Sequence, residues 1–97
     1  MPAPEHIRYL IAYDIPCDRR RTKVSDFLCA HGVRVNDSVF EVTIKPARFL
    51  LLKDNLNALI KPKEDSVRIY PICQKCLLEI ETLGEEIPPF TLVNTFV

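Results

Sequence analysis

An α+β sandwich, with helices on one face of a mostly antiparallel sheet, is the fold class predicted by three features of the sequence. Segments rich in β-branched and aromatic residues alternate with segments whose apolar residues recur at helical spacing. At 97 residues the chain has the size of one domain with a modest core, so residues 1–97 read as a single domain with a C-terminal extension over 84–97. The first apolar segment, HIRYLIAYDI, is apolar on both faces, as in a central strand covered twice, yet the chain is too short to cover a whole sheet on both sides. A second copy packed on the uncovered face is the economical solution, and a homodimer is expected.

Within HIRYLIAYDI, Ile7, Tyr9, Ile11 and Tyr13 alternate with Leu10 and Ala12, and Asp14 ends the second face. Asp18 is suited to cap the helix that follows. Val24, Phe27, Leu28 and His31 then recur at i, i+3, i+4 and i+7, and Gly32 stops the pattern. VRVNDSVFEVTI is a β-rich stretch in which Asn36-Asp37 marks either a tight turn or a bulge, a choice the sequence leaves open. Pro46 suits a first helical position, and Phe49, Leu52, Leu56, Leu59 and Ile60 form the buried stripe of a second helix that ends before Pro62. Beyond it DSVRIYPI reads as a strand, CQKC as a tight turn and LEIETL as a further strand. FTLVNTFV, after the Pro88-Pro89 break, reads as a last strand that pairs with either its own sheet or its partner's.

Thirteen basic and thirteen acidic residues sum to zero, which argues against a protein that coats nucleic acid through bulk charge. Distribution matters more: Arg19, Arg20, Arg21 and Lys23 cluster near the start, and Glu79, Glu81, Glu85 and Glu86 precede Pro88. No apolar run approaches the roughly 18 residues of a membrane span, and MPAPEHIRYL lacks the pattern of a secretory signal, so a cytoplasmic location is expected. Cys17, Cys29, Cys73 and Cys76 then read as reduced thiols. Cys73-x-x-Cys76 has no second paired spacing to complete a zinc site, and a thioredoxin-like dithiol would sit where a strand enters a helix after the first strand, rather than late in the chain. The pair therefore reads as packing for a turn.

Asp14 is the carboxylate of greatest chemical interest. If a dimer axis passes near it, two like charges meet, and they repel unless a proton or a cation such as magnesium stands between them. The plainer reading is a turn or cap residue. The cluster RRRTK admits two readings as well: a solvated helix face, or a patch that grips phosphate backbone without reading bases. Tyr9, Tyr13 and Tyr70 read as core, whereas Phe40 is the aromatic expected to be available to a base.

YLIAYDI followed by RRRTKV, then RVNDSVFE, then DSVRIYPICQKC, spread in that order over residues 7–84, resembles the CRISPR-associated endoribonuclease family, the small second universal Cas protein of spacer acquisition. The resemblance implies a ferredoxin-like homodimer of prokaryotic antiviral defence, working beside an integrase subunit in a heterohexameric adaptation complex. It also implies a metal-dependent nuclease activity on RNA or DNA. Carried over to this chain, Asp14 matches the carboxylate that ends the family's first strand and faces its twin, the proposed magnesium and catalytic site. Arg21 and Lys23 match basic positions of the first helix, Arg34 the arginine that opens the next strand, and Phe40 the aromatic of the SVF block. With Arg19 and Arg20 these are the candidate nucleic-acid contacts, Phe40 in a supporting role. Pro16-Cys17 replaces the hydroxyl and acidic residues common after the aspartate, and Asn36 stands where glutamine is usual. Three kinds of function are consistent with these residues: a phosphodiesterase centred on paired Asp14 side chains, a DNA-gripping scaffold without catalysis, or a regulatory domain for a small ligand. Only the last predicts no affinity for nucleic acid.

Overall fold

The computed structural model describes residues 6–84. Along the chain run β1 (Ile7–Asp14), α1 (Asp18–Cys29), β2 (Val33–Asn36), β3 (Val39–Ile44), α2 (Pro46–Leu59), β4 (Ser66–Ile72) and a short α3 (Gln74–Leu78). The strands form one sheet in the order β2-β3-β1-β4, with every neighbouring pair antiparallel. β1 and β2 therefore point the same way with β3 inserted between them, which is the split βαβ arrangement of the ferredoxin-like fold.

Strand alternation decides what the helices cover. Tyr9, Ile11 and Tyr13 of β1 and Phe40, Val42 and Ile44 of β3 are buried, and they meet Val24 and Leu28 of α1 and Leu52 and Leu56 of α2. The Tyr9 ring stacks on Phe49 of α2 with centroids 4.0 Å apart and planes 9° from parallel, tying the second helix to the middle of the sheet. Val67 and Ile69 pack against the same core. Intervening residues face the other way. In that register Leu10 lies between Glu41 and Tyr70, Ala12 between Val39 and Arg68, and Asp14 opposite Ser66. Among the described residues no helix covers this second face.

Both readings of Asn36-Asp37 hold at once. Asp37 and Ser38 form a two-residue turn between β2 and β3, and the ladder shifts register between Arg34 and Asn36. Gly32 closes α1 as expected, its amide donating to the Leu28 carbonyl at 2.9 Å, but for a steric reason rather than a left-handed turn. A β-carbon there would lie 2.4 Å from the Glu41 carbonyl oxygen and 2.7 Å from Val42 Cγ2, so only glycine lets the chain pass this close to β3.

Three expectations are corrected. Asp18 does not cap α1: the N-cap is Cys17, which makes no side-chain capping bond, and the Asp18 carboxylate instead pairs with Arg21 one turn along. CQKC is not an isolated turn but the start of α3, because Cys73 stands at the N-cap and its sulfur accepts from the Cys76 amide at 3.3 Å. LEIETL is not a strand. Alternation gives a segment a face but no backbone partner, and here Leu78 closes α3 while Leu83 is 92% exposed. FTLVNTFV lies outside the described residues.

One ion pair joins the first helix to the far edge of the sheet. Arg20 of α1 donates from Nε to Asp65 Oδ2 at 2.7 Å and from Nη2 to Asp65 Oδ1 at 3.0 Å, a bidentate fork, and reaches Glu64 with the same Nη2 at 3.0 Å. The Lys61 amide donates to Asp65 Oδ2 at 2.9 Å, so the carboxylate also closes the loop between α2 and β4. Asp65 is the one buried charged residue of the described segment. The Arg20 guanidinium, seconded by the Lys61 amide and opposed by burial, holds its carboxyl below the usual carboxylate range. A depressed native pKa contributes stability that is complete above the unfolded value of about 3.9 and is lost as pH falls through the native value. Replacing Asp65 with Asn removes the buried charge of the fork, leaving Arg20 only the exposed Glu64 as an ionic partner, and should lower the thermal midpoint at pH 7 by several degrees. Circular-dichroism melts should find the gap between variant and wild type closing as the pH approaches 2. Equal midpoints at neutral pH would show the pair to be dispensable.

Candidate functional site

β1 delivers Asp14 to the mouth of a cavity of about 460 Å³ enclosed by the end of that strand, the first turns of α1 and the β2–β3 turn. Arg21, Thr22 and Ser25 line it from the helix, Arg34, Asp37 and Ser38 from the hairpin. The Asp14 side chain is exposed, which suits a carboxylate that must meet something outside the chain.

Each arginine of the cavity is held by backbone oxygens. Arg21 donates from Nη1 to the Ile15 carbonyl at 2.7 Å and pairs through Nη2 with Asp18. Arg34 donates from Nη1 to the Asp37 carbonyl at 2.7 Å and through Nη2 to Ser25 Oγ, bridging the hairpin to α1. The Asp37 carbonyl accepts a second bond, from the Tyr13 hydroxyl at 3.2 Å, so β1 and the turn are fastened at the same oxygen. The Arg34 guanidinium also lies 5.0 Å from the centre of the Phe40 ring. These bonds fix the directions of both forks while leaving part of each guanidinium facing the cavity.

The charged sequence candidates thus separate into three groups. Asp14, Arg21 and Arg34 converge on one cavity. Arg19 and Lys23, both exposed and one helical turn apart, lie outside it and make no ion pair among the described residues. Arg20, expected with them, is committed to Asp65 and stands apart from the cavity. The expectation that Phe40 is open to a base is corrected: pairing opposite Ile11 puts it on the helix side of the sheet, fully buried, where its ring supports Arg34. Tyr70 reverses in the other direction, since register opposite Leu10 leaves it 44% exposed on the uncovered face. Ser25 escaped the sequence reading although its spacing from Arg21, one helical turn, carried the signal. Ser38 carried none, and Asp37 was marked only as part of a turn or bulge, because what aims the two is a register shift.

Among the described residues no group of three or more His, Cys, Asp or Glu side chains gathers as a metal site.

The family model for the CRISPR associated protein Cas2 matches residues 7–80, from the start of β1 through α3. The chain belongs to the CRISPR-associated Cas2 family. It is 45% identical over 83 residues to the CRISPR-associated endoribonuclease Cas2 3 of Synechocystis, covering 86% of this chain and 88% of that one. Streptococcus pyogenes Cas2 superposes with a TM-score of 0.70 at 33% identity, over 79% of this chain and 99% of that one. A chain of a partial Cas6-RT-Cas1–Cas2 complex superposes with a TM-score of 0.74 at 28% identity, over 94% and 97% of the two chains. Within the described residues, no helix is long and apolar enough to cross a membrane.

The fastening of Arg34 gives a test of the site's frame. Arg34→Ala removes the cation–π contact and the bonds to Asp37 and Ser25, and should cost about 1 kcal/mol in urea unfolding with an unchanged slope. Arg34→Lys keeps the charge but not the fork, and should recover only part of the loss. Wild-type stability in both variants would mean that the hairpin is held by its own ladder alone.

Proposed function

We propose that this chain is a CRISPR spacer-acquisition protein, a homodimer that bridges integrase subunits and holds nucleic-acid backbone, with metal-dependent phosphodiester hydrolysis at Asp14. The observation that carries the reading is the convergence of Asp14, Arg21 and Arg34 on a single cavity in a chain of the Cas2 family. The endoribonuclease name of the Synechocystis relative supports nuclease chemistry, and the complex that contains a structural neighbour supports a Cas1-type partner.

The chemistry follows from where the residues stand. Asp14 occupies the same alternating face of β1 as Leu10 and Ala12, the face left open by the helices, so a second copy packed there brings two Asp14 carboxylates toward each other. Two such oxygen donors suit magnesium, a hard cation that needs few protein ligands because it keeps several waters. Magnesium, when bound, supplies positive charge against which the charge developing on a phosphodiester is stabilised. Arg21 and Arg34, already aimed by their backbone contacts, orient the phosphate, while Arg19 and Lys23 extend the grip along the backbone without reading sequence. Arg20 maintains the position of the helix that carries them.

The test is cleavage of RNA and of duplex DNA with and without magnesium. Asp14→Asn should lower hydrolysis by about a hundredfold or more while duplex affinity and integrase association stay at the wild-type level. Because the substitution removes a like-charge contact, the metal-free dimer should be at least as stable. A variant that cuts as fast as wild type would remove Asp14 from the chemistry and leave only the bridging role.

A further inference from the structure

The Cys73-x-x-Cys76 pair stands outside everything assigned to function above. It lies where β4 runs directly into α3, a strand entering a helix, and not in the isolated turn that the sequence suggested. Cys73 is the N-cap, with its sulfur already folded over the first turn to accept from the Cys76 amide at 3.3 Å. Residues this far apart at the start of a helix bring their Cα atoms within the separation of about 4.4–6.8 Å that a disulfide spans. Both thiols are exposed, so a small reactant reaches either one. Cys17 and Cys29, the other described cysteines, lie on the opposite side of the chain order at the two ends of α1 and belong to no such pair.

The two thiols are also unequal. The Cys76 backbone amide and then its side chain stabilise the charged form of Cys73 and hold its thiol below the usual range, while the same contact with Cys73 raises that of Cys76. One sulfur is thereby prepared to attack and the other to stay protonated until the second step, which is the division of labour of a nucleophilic and a resolving cysteine.

We propose that Cys73 and Cys76 form a dithiol–disulfide modification site whose reactant is a small disulfide of the glutathione type. The Cys73 thiolate attacks one sulfur of the reactant, its S–S bond breaks, and one thiol leaves. Cys76, on losing its proton, attacks Cys73 Sγ in the resulting mixed disulfide and expels the second thiol. The chain's two thiols are oxidised to one S–S bond and the reactant is reduced to two thiols, so electrons and protons balance. The bond closes over the first turn of α3 and fixes the course the chain takes on leaving β4.

Full-chain protein equilibrated in buffers of reduced and oxidised glutathione, quenched with acid and blocked with a maleimide, reads the site directly by peptide mass. The peptide spanning Cys73 and Cys76 should lose two hydrogens and escape the maleimide, whereas Cys17 and Cys29 take it up. Cys76→Ser should accumulate one glutathione on Cys73, and Cys73→Ser several-fold less on Cys76; circular dichroism verifies that both variants are folded. With reduced protein at neutral pH, a small alkylating agent should modify Cys73 several-fold faster than Cys76. An unmodified pair, a disulfide only between chains, or a mixed disulfide that persists in the wild type without closing would each overturn the proposal.

Discussion

A central strand that is apolar on both faces governs this structure. β1 lies between β3 and β4, so its backbone is satisfied on both sides and its side chains must be satisfied above and below. The helices take Tyr9, Ile11 and Tyr13, and the alternate set, Leu10 and Ala12, faces a surface that no described helix covers. Asp14 is the last member of that alternate set. Its position is therefore set by strand period as much as by chemistry: the same two-residue repeat that buries Ile11 aims the carboxylate at the uncovered side.

The arginines of α1 divide between structure and site according to which way the helix turns them. Arg20 points toward the loop before β4 and is held there by a buried carboxylate, and its immediate neighbour Arg21 points toward the end of β1 and the cavity. The first contact gives the second its precision, since a helix pinned at Asp65 presents Arg21, Thr22 and Ser25 at fixed positions opposite the hairpin. The hairpin is fastened in turn by Arg34, which touches α1 through Ser25 and the core through Phe40. Three consecutive elements, β1, α1 and β2, meet with the β2–β3 turn around one concavity, while the remaining basic residues of α1 lie outside it.

What the sequence disclosed was whatever depends on period. The apolar repeat of α2 correctly marked Leu52 and Leu56, and the doubly apolar first strand correctly marked the sheet centre. Long-range partners carry no local signal. Arg20 and Asp65 are separated by 45 positions, so nothing in RRRTK distinguished the arginine that is consumed by the fold from those that are not. Phe40 and Tyr70 exchanged roles for a related reason: each sits in an alternating strand, and which alternate faces the helices is decided by cross-strand register. LEIETL failed as a strand because alternation does not supply an edge to pair with, and CQKC gained a helix because a sulfur can cap one. The cavity floor depended on a register shift at Arg34–Asn36 that the sequence left as one of two choices.

The account rests most heavily on the uncovered face of the sheet being filled by a second copy, since only then do two Asp14 carboxylates meet. A stable interface of this kind buries on the order of 1,000 Å² or more, within reach of a four-stranded sheet face. Sedimentation equilibrium at micromolar concentration, on wild type and on Leu10→Glu, tests it most directly. A mass twice the 11.2 kDa of the chain for the wild type, and a folded monomer for the variant, is the predicted result. A wild-type monomer of 11.2 kDa with native stability would contradict it.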